Sequence, residues 1–208
     1  MLYYFGRFLF WLVFKFVFRL KVSGGDNIPS AGPALVCANH QSFIDPPVVG
    51  AAMRRPIHFM ARHDLFTVPV LGWLIARTNA FPVKRTGAGD TAAFKNVFRL
   101  LEKGELLLLF PEGTRSRDGN LQKPSAGAGL IAYQARVPVI PCYVSGSRDI
   151  LPRGSKFIKL HPLKVYFGPP VDLDACYGRE KNKELYQEIS ARIMAGIAEL
   201  KEKATHEN

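Results

Sequence analysis

The sequence predicts one α/β domain, a mostly parallel central sheet flanked by helices, preceded by an N-terminal amphipathic helix. Three observations carry this reading. Short continuous apolar runs, bounded by Gly, Pro or polar residues, alternate with segments of helical periodicity. The 208 residues suffice for a single domain with a proper core, and no linker, repeat or low-complexity tract divides them. Two polar loops follow apolar runs directly, where open parallel sheets place their chemistry. The expected division is residues 1–22 for the helix and 23–208 for the domain.

The first stretch, MLYYFGRFLFWLVFKFVFRLKVSGG, is crowded with aromatics. Its longest uncharged run there, Phe8 to Phe14, is seven residues, whereas a spanning helix needs roughly 20. No small-residue cleavage site follows, which argues against a cleaved signal. Arg7, Lys15 and Arg19 are spaced by multiples of four and fall on one side of a helix of ~3.6 residues per turn. Tyr4 and Trp11 share that side. Phe5, Leu9, Leu12, Val13, Phe16, Val17 and Leu20 cover the other. A broad apolar face with a basic, aromatic stripe describes a helix lying in a lipid headgroup layer, its cations reaching outward to phosphate. The alternatives are a helix docked on the protein's own core and a spanning segment. Ser23-Gly24-Gly25 ends the element.

Pro33 to His40 reads as a buried strand running into a polar loop, and Pro46 to Met53 as a helix. His58 to Ala61 is a short strand. Asp90 to Lys103 is helical, with Phe94, Val97, Phe98 and Leu101 at helical spacing. Gly104 to Phe110 is a central strand. Val137 to Gly146 and Leu163 to Val171 supply two more, the latter stopped by Gly168-Pro169-Pro170. Asn182 to Lys201 carries Leu185, Ile189, Ile193, Ile197 and Leu200 on one face, the mark of a packing helix.

Lys and Arg number 28 against 17 acids, a net charge of +11, which favours an anionic partner: anionic lipid, a phosphorylated substrate or nucleic acid. Cys37, Cys142 and Cys176 match neither a disulfide framework nor a zinc site. Cys37 and Cys142 lie in apolar runs, as buried thiols in a reducing compartment would.

Chemistry concentrates in NHQSFIDPP, Asn39 to Pro47. On a continuous helix five residues turn through ~500°, so His40 and Asp45 would diverge. The prolines prevent that. A residue before proline avoids the helical region, Pro46 suits a first helical turn, and Asp45 is then expected as N-cap. The pair lies in a strand-to-helix loop that can fold the carboxylate back to the imidazole. Such a carboxylate fixes one ring nitrogen and leaves the other as a base. By itself the spacing is equally that of a loop histidine and a helix cap. Phe110 to Gly119, FPEGTRSRDG, adds a sharp turn at Gly113, and free N–H groups there with Arg115 and Arg117 would suit phosphate. Lys84 and Arg85 in FPVKRTG form a second basic cluster.

These segments resemble the glycerophospholipid acyltransferases. Asn39-His40-Gln41-Ser42-Phe43-Ile44-Asp45 resembles the family's first block and Phe81-Pro82-Val83-Lys84-Arg85 its second. Phe110-Pro111-Glu112-Gly113-Thr114-Arg115-Ser116-Arg117 resembles the third, and Val137-Pro138-Val139-Ile140-Pro141 the fourth, in family order. The resemblance implies acyl transfer from an acyl thioester, on coenzyme A or acyl carrier protein, to the free hydroxyl of 1-acyl-glycerol 3-phosphate, giving phosphatidate. His40 and Asp45 would be catalytic. Arg115, Lys84, Arg85 and Arg62 would bind the substrate phosphate, and Glu112, Gly113 and Thr114 would shape the site. No metal or cofactor is implied. The expected setting is the cytoplasmic face of the inner membrane, on an anionic leaflet, with no role for nucleic acid.

Two positions depart from the pattern. Arg62 stands where the family segment usually carries lysine, and a planar fork is not a point charge. Ala80 stands where glycine is common. The same chemistry on glycerol 3-phosphate, another lysophospholipid or a lyso-aminolipid stays open, as does a non-catalytic basic lipid-binding protein. A hydrolase is disfavoured by the absence of a G-x-S-x-G elbow.

Overall fold

The computed structural model describes residues 2–84, 90–155 and 157–206. Its centre is a seven-stranded sheet. In chain order the strands are β1 (Lys21–Ser23), β2 (Ala34–Ala38), β3 (Ile57–Arg62), β4 (Ala80–Val83), β5 (Leu106–Leu109), β6 (Val139–Ser145) and β7 (Lys164–Phe167). The helices are α1 (Leu2–Phe16), α2 (Asp45–Ala52), α3 (Leu71–Arg77), α4 (Thr91–Glu102), α5 (Ala126–Ala135), α6 (Ser147–Ile150) and α7 (Lys183–His206). The sheet order is β1-β7-β6-β2-β5-β3-β4. Every neighbouring pair is parallel except β6 with β7. The expected mostly parallel α/β sheet is therefore present.

The apolar runs are continuous because the central strands are covered on both faces. In β2, Ala34, Val36 and Ala38 join one core layer and Leu35 and Cys37 the other. In β5, Leu106 and Leu108 face the first layer and Leu107 and Leu109 the second. Residues of α1, α2 and α6 pack in the first layer, and those of α4, α5 and α7 in the second. All three cysteines are buried and free, and burial pushes the Cys37 thiol up to about 12. Asp90 starts α4 as an N-cap, its carboxylate accepting from Ala93 N at 3.0 Å.

The N-terminal segment differs from its expected form in two ways. Its helix ends at Phe16 rather than near residue 22, and Lys21–Ser23 becomes an edge strand on β7. The apolar pattern runs on because Phe14, Phe18 and Leu20 are core residues. One face of α1 is docked on α2, while Phe8, Leu9, Phe16 and Val17 are exposed. Arg7 does not extend outward. Its guanidinium donates to the carbonyl of Met53, the C-cap of α2, where a cation also complements the helix dipole. None of the described helices is long and apolar enough to cross a membrane. The α3 helix and β4 strand have no counterpart in the sequence reading.

Two helices of the second layer meet at close range. Ser190 Oγ in α7 accepts from Gly129 N at 2.8 Å and donates to Ser125 O at 2.8 Å. A Cβ on Gly129 would collide with the backbone carbonyl of Tyr186. We expect Gly129→Val to lower unfolding stability by about 3 kcal/mol, at the upper end for overpacking a close contact. Urea denaturation checks this; an unchanged midpoint would contradict the packing described.

Candidate active site

The site forms at the carboxyl end of β2, where the sheet leaves two loops side by side. Asn39 follows the strand and replaces backbone pairing with its side chain: Nδ2 donates to Val144 O at 3.0 Å and Oδ1 accepts from Val144 N at 2.7 Å. This fully buried amide fixes the exit of the chain from β2. Ser42 Oγ donates to Leu151 O at 2.7 Å, anchoring the loop at its other end.

Asp45 then turns back. Its Oδ2 lies 2.9 Å from His40 Nδ1 and accepts from Gln41 N and Ser42 N, each at 2.7 Å. The carboxylate is fully buried. The expectation that Asp45 is an N-cap is not met. It is the first residue of α2, Ile44 is the cap, and no side chain caps the helix. The prolines are the reason. A capping oxygen accepts from the second or third N–H of a helix; Pro46 and Pro47 have none, and Val48 N donates to Ile44 O. With no donor ahead of it, the carboxylate turns to those behind.

An ionised carboxylate only accepts, so Nδ1 of His40 carries the proton in this pair and Nε2 keeps its lone pair. The ring stacks on Phe110 at 4.0 Å between centroids. Its side chain is 18% exposed, enough to reach the cavity it lines.

Glu112 holds the two loops together. Oε1 accepts from His40 N at 2.8 Å and Oε2 from Gln122 N at 3.0 Å. Ser116 N donates to His40 O at 2.7 Å, completing the join. Burial pushes the Glu112 carboxyl up to about 7; the charges of Asp45 and Asp118 add to that push and the two N–H donors oppose it. The turn itself needs Gly113, whose φ is +66°. The expectation of free N–H groups here fails for Gly113 and Ser116: their N–H groups go to Phe110 O and His40 O. The Arg115 guanidinium lies 3.4 Å above the Phe43 ring, a planar contact open to Arg but not to Lys.

His40, Arg115, Gly113, Thr114 and Arg62 all line one cavity of about 690 Å³. Its apolar lining includes Phe10, Gly50, Ile57, Phe59 and Leu108. Arg62 is already forked onto Asp64, at 2.9 and 2.6 Å, and holds that carboxyl below its usual range. Lys84 is exposed and is not on the cavity wall. Arg85 lies outside the described residues. Arg117 is likewise off the wall; its carbonyl accepts from Arg148 at 3.4 Å. Among the described residues no group of three or more His, Cys, Asp or Glu could hold a metal ion.

The sequence reading gives none of Asn39, Gln122, Arg7 and Arg153 a role in the site. The last two line the cavity, and Arg153 donates to Arg115 O at 2.8 Å. Asn39 had a visible signal, an amide at the end of an apolar run. Arg153 had none, being a lone cation in a loop.

Residues 19–145 match the family model described as Acyltransferase. A chloroplastic 1-acyl-sn-glycerol-3-phosphate acyltransferase of Arabidopsis thaliana is 33% identical over 146 residues, 69% of this chain and 41% of that protein. The chain thus spans less than half of that relative. The 1-acyl-sn-glycerol-3-phosphate acyltransferase of Bacillus subtilis is 28% identical over 186 residues, 88% of this chain and 89% of that protein. The crystal structure of the 1-acyl-sn-glycerophosphate acyltransferase PlsC from Thermotoga maritima superposes with a TM-score of 0.73 at 28% identity, over 96% of this chain and 78% of that one.

Glu112 titrates above its unfolded value of about 4.5. Its contribution to stability is therefore full below about pH 4.5 and is lost as pH rises through about 7. Glu112→Gln removes that titration and sets an amide N–H against one of the two backbone donors. We expect the variant to be less stable than the parent at pH 5, with a gap in Tm that narrows by pH 8. A gap that is constant across this range would refute the raised carboxyl.

Proposed function

Given that the chain belongs to the acyltransferase family, we propose that it moves an acyl group from a thioester to the free hydroxyl of 1-acyl-glycerol 3-phosphate, forming phosphatidate. The observation that carries this is the His40–Asp45 pair, 2.9 Å apart, at the wall of a cavity lined both by cationic and by apolar side chains. The names of the relatives supply the acceptor.

His40 Nε2 takes the proton of the acceptor hydroxyl as its oxygen attacks the thioester carbonyl carbon. The resulting imidazolium is held by the Asp45 carboxylate on one edge and the Phe110 face on the other. The tetrahedral oxyanion collapses, the C–S bond breaks, and the leaving thiolate recovers the proton from His40. Arg115 grips the acceptor phosphate, fixed in direction by Phe43 below it and by Arg153 on its backbone. Arg62 reaches the phosphate only by sharing its fork with Asp64. The acyl chain lies along the apolar wall. Coenzyme A or acyl carrier protein delivers the acyl group as co-substrate, and no metal or redox cofactor takes part.

The exposed apolar side of α1 rests in the headgroup layer of an anionic leaflet, on the cytoplasmic face of the inner membrane. Lys15 and Arg19 face lipid phosphate, while Arg7 is committed to Met53.

Replacing His40 by Ala should lower the turnover of lysophosphatidate by at least ~10²–10⁴-fold, with the circular dichroism of the folded protein retained. Turnover near that of the parent would exclude the mechanism. Arg115→Ala should raise the acceptor KM far more than it lowers kcat. If kcat falls while KM holds, Arg115 does not bind the phosphate.

A further inference from the structure

Between α6 and β7 the chain presents Phe157, Ile158 and Leu160 at 81%, 65% and 77% exposure. Three large apolar side chains within four residues thus contribute almost nothing to the core, and such clusters mark contact surfaces. The backbone around them is nevertheless tied down. Phe157 N donates to Ser155 Oγ at 3.1 Å, and that hydroxyl donates to Phe157 O at 3.0 Å. Lys159 N donates to Ile150 O at 2.9 Å. Beyond the tip, Leu163 N donates to Phe18 O and Lys21 N to Leu163 O, both at 2.9 Å.

Those bonds fix where the tip sits. One end leads from Arg153, which lines the cavity and holds the Arg115 carbonyl. The other is bonded to Phe18, immediately after the exposed Phe16, the last residue of α1, and the exposed Val17. The loop therefore runs from a residue of the cavity wall to one beside the exposed apolar side of α1. Exposed Lys159 and Arg153 lie within the same stretch, the pairing of apolar tip and cation that suits an anionic headgroup layer. A four-residue tip offers far less than the ~800 Å² per partner of a stable protein interface. A bilayer has no such minimum.

We propose that Phe157, Ile158 and Leu160 form a second membrane-inserting element, distinct from α1, that seats the cavity-bearing domain against the lipid leaflet. The occupant is an anionic bilayer, and the loop and α1 grip it together. The inference extends the reading of a chain that works at a membrane, but its readout is insertion rather than acyl transfer.

The three native cysteines are buried, so an environment-sensitive fluorophore can be placed selectively at Phe157→Cys, at Val17→Cys, or at exposed Glu180→Cys in the full chain. Each is mixed with phosphatidylglycerol–phosphatidylcholine vesicles, with and without brominated acyl chains. We expect a blue shift and bromine quenching at 157 and 17, and neither at 180. Replacing Phe157, Ile158 and Leu160 together by Ser should weaken vesicle binding at least tenfold with Tm unchanged. A silent label at 157 while 17 reports insertion would overturn the proposal. No vesicle binding by the intact chain would overturn it together with the placement of α1. Insertion at 157 in a protein that transfers no acyl group would support it and overturn the proposed function alone.

Discussion

Three donors converge on Asp45 Oδ2: the His40 ring and the N–H groups of Gln41 and Ser42. A buried carboxylate needs such partners, since burying a charge without them costs several kcal/mol. The consequence is geometric. An oxygen bonded to two consecutive backbone N–H groups cannot drift, and the imidazole edge it also holds inherits that rigidity. The loop cannot open without stranding the charge. Asn39 and Ser42 fasten the loop's ends to β6 and Leu151, so the carboxylate sits in a frame anchored at both sides.

The second buried acid divides the labour. Glu112 touches the main chain of His40 rather than its ring, and joins it to Gln122. Asp45 thus sets the direction of the imidazole and Glu112 its position relative to Arg115. Burial is the main reason the Glu112 carboxyl is pushed up, and the charge of Asp45 adds to it.

Sequence legibility followed the range of the forces involved. The strands were readable because both faces of β2, β5 and β6 are covered, which leaves an unbroken apolar run. The meeting of His40 and Asp45 was readable from two prolines. The same prolines defeat the expected cap, because they remove the N–H groups that a capping Asp45 would need. The end of α1 was obscured because Phe18 and Leu20 continue its apolar pattern while serving the core beside β7. Bonds such as His40 N to Glu112 and Asn39 to Val144 join residues 72 and 105 positions apart. Nothing local encodes them. Arg7 was legible as a cation on a helix face, but its partner, the end of α2, could be found only once both helices were placed.

The first strand, β1, pairs with the last, β7, Lys21 opposite Lys164, and Phe14, Phe18 and Leu20 share a core with Val165 and Phe167. During synthesis the opening segment leaves the ribosome long before its partners exist. Pairings this distant in sequence form late. Throughout that interval the aromatic face that will be docked and the face that will stay exposed are equally bare. A nascent chain of this design has a period in which aggregation, capture by a chaperone and contact with a nearby bilayer compete for the same residues, and for Phe14, Phe18 and Leu20 the arrival of β7 completes the core that ends it.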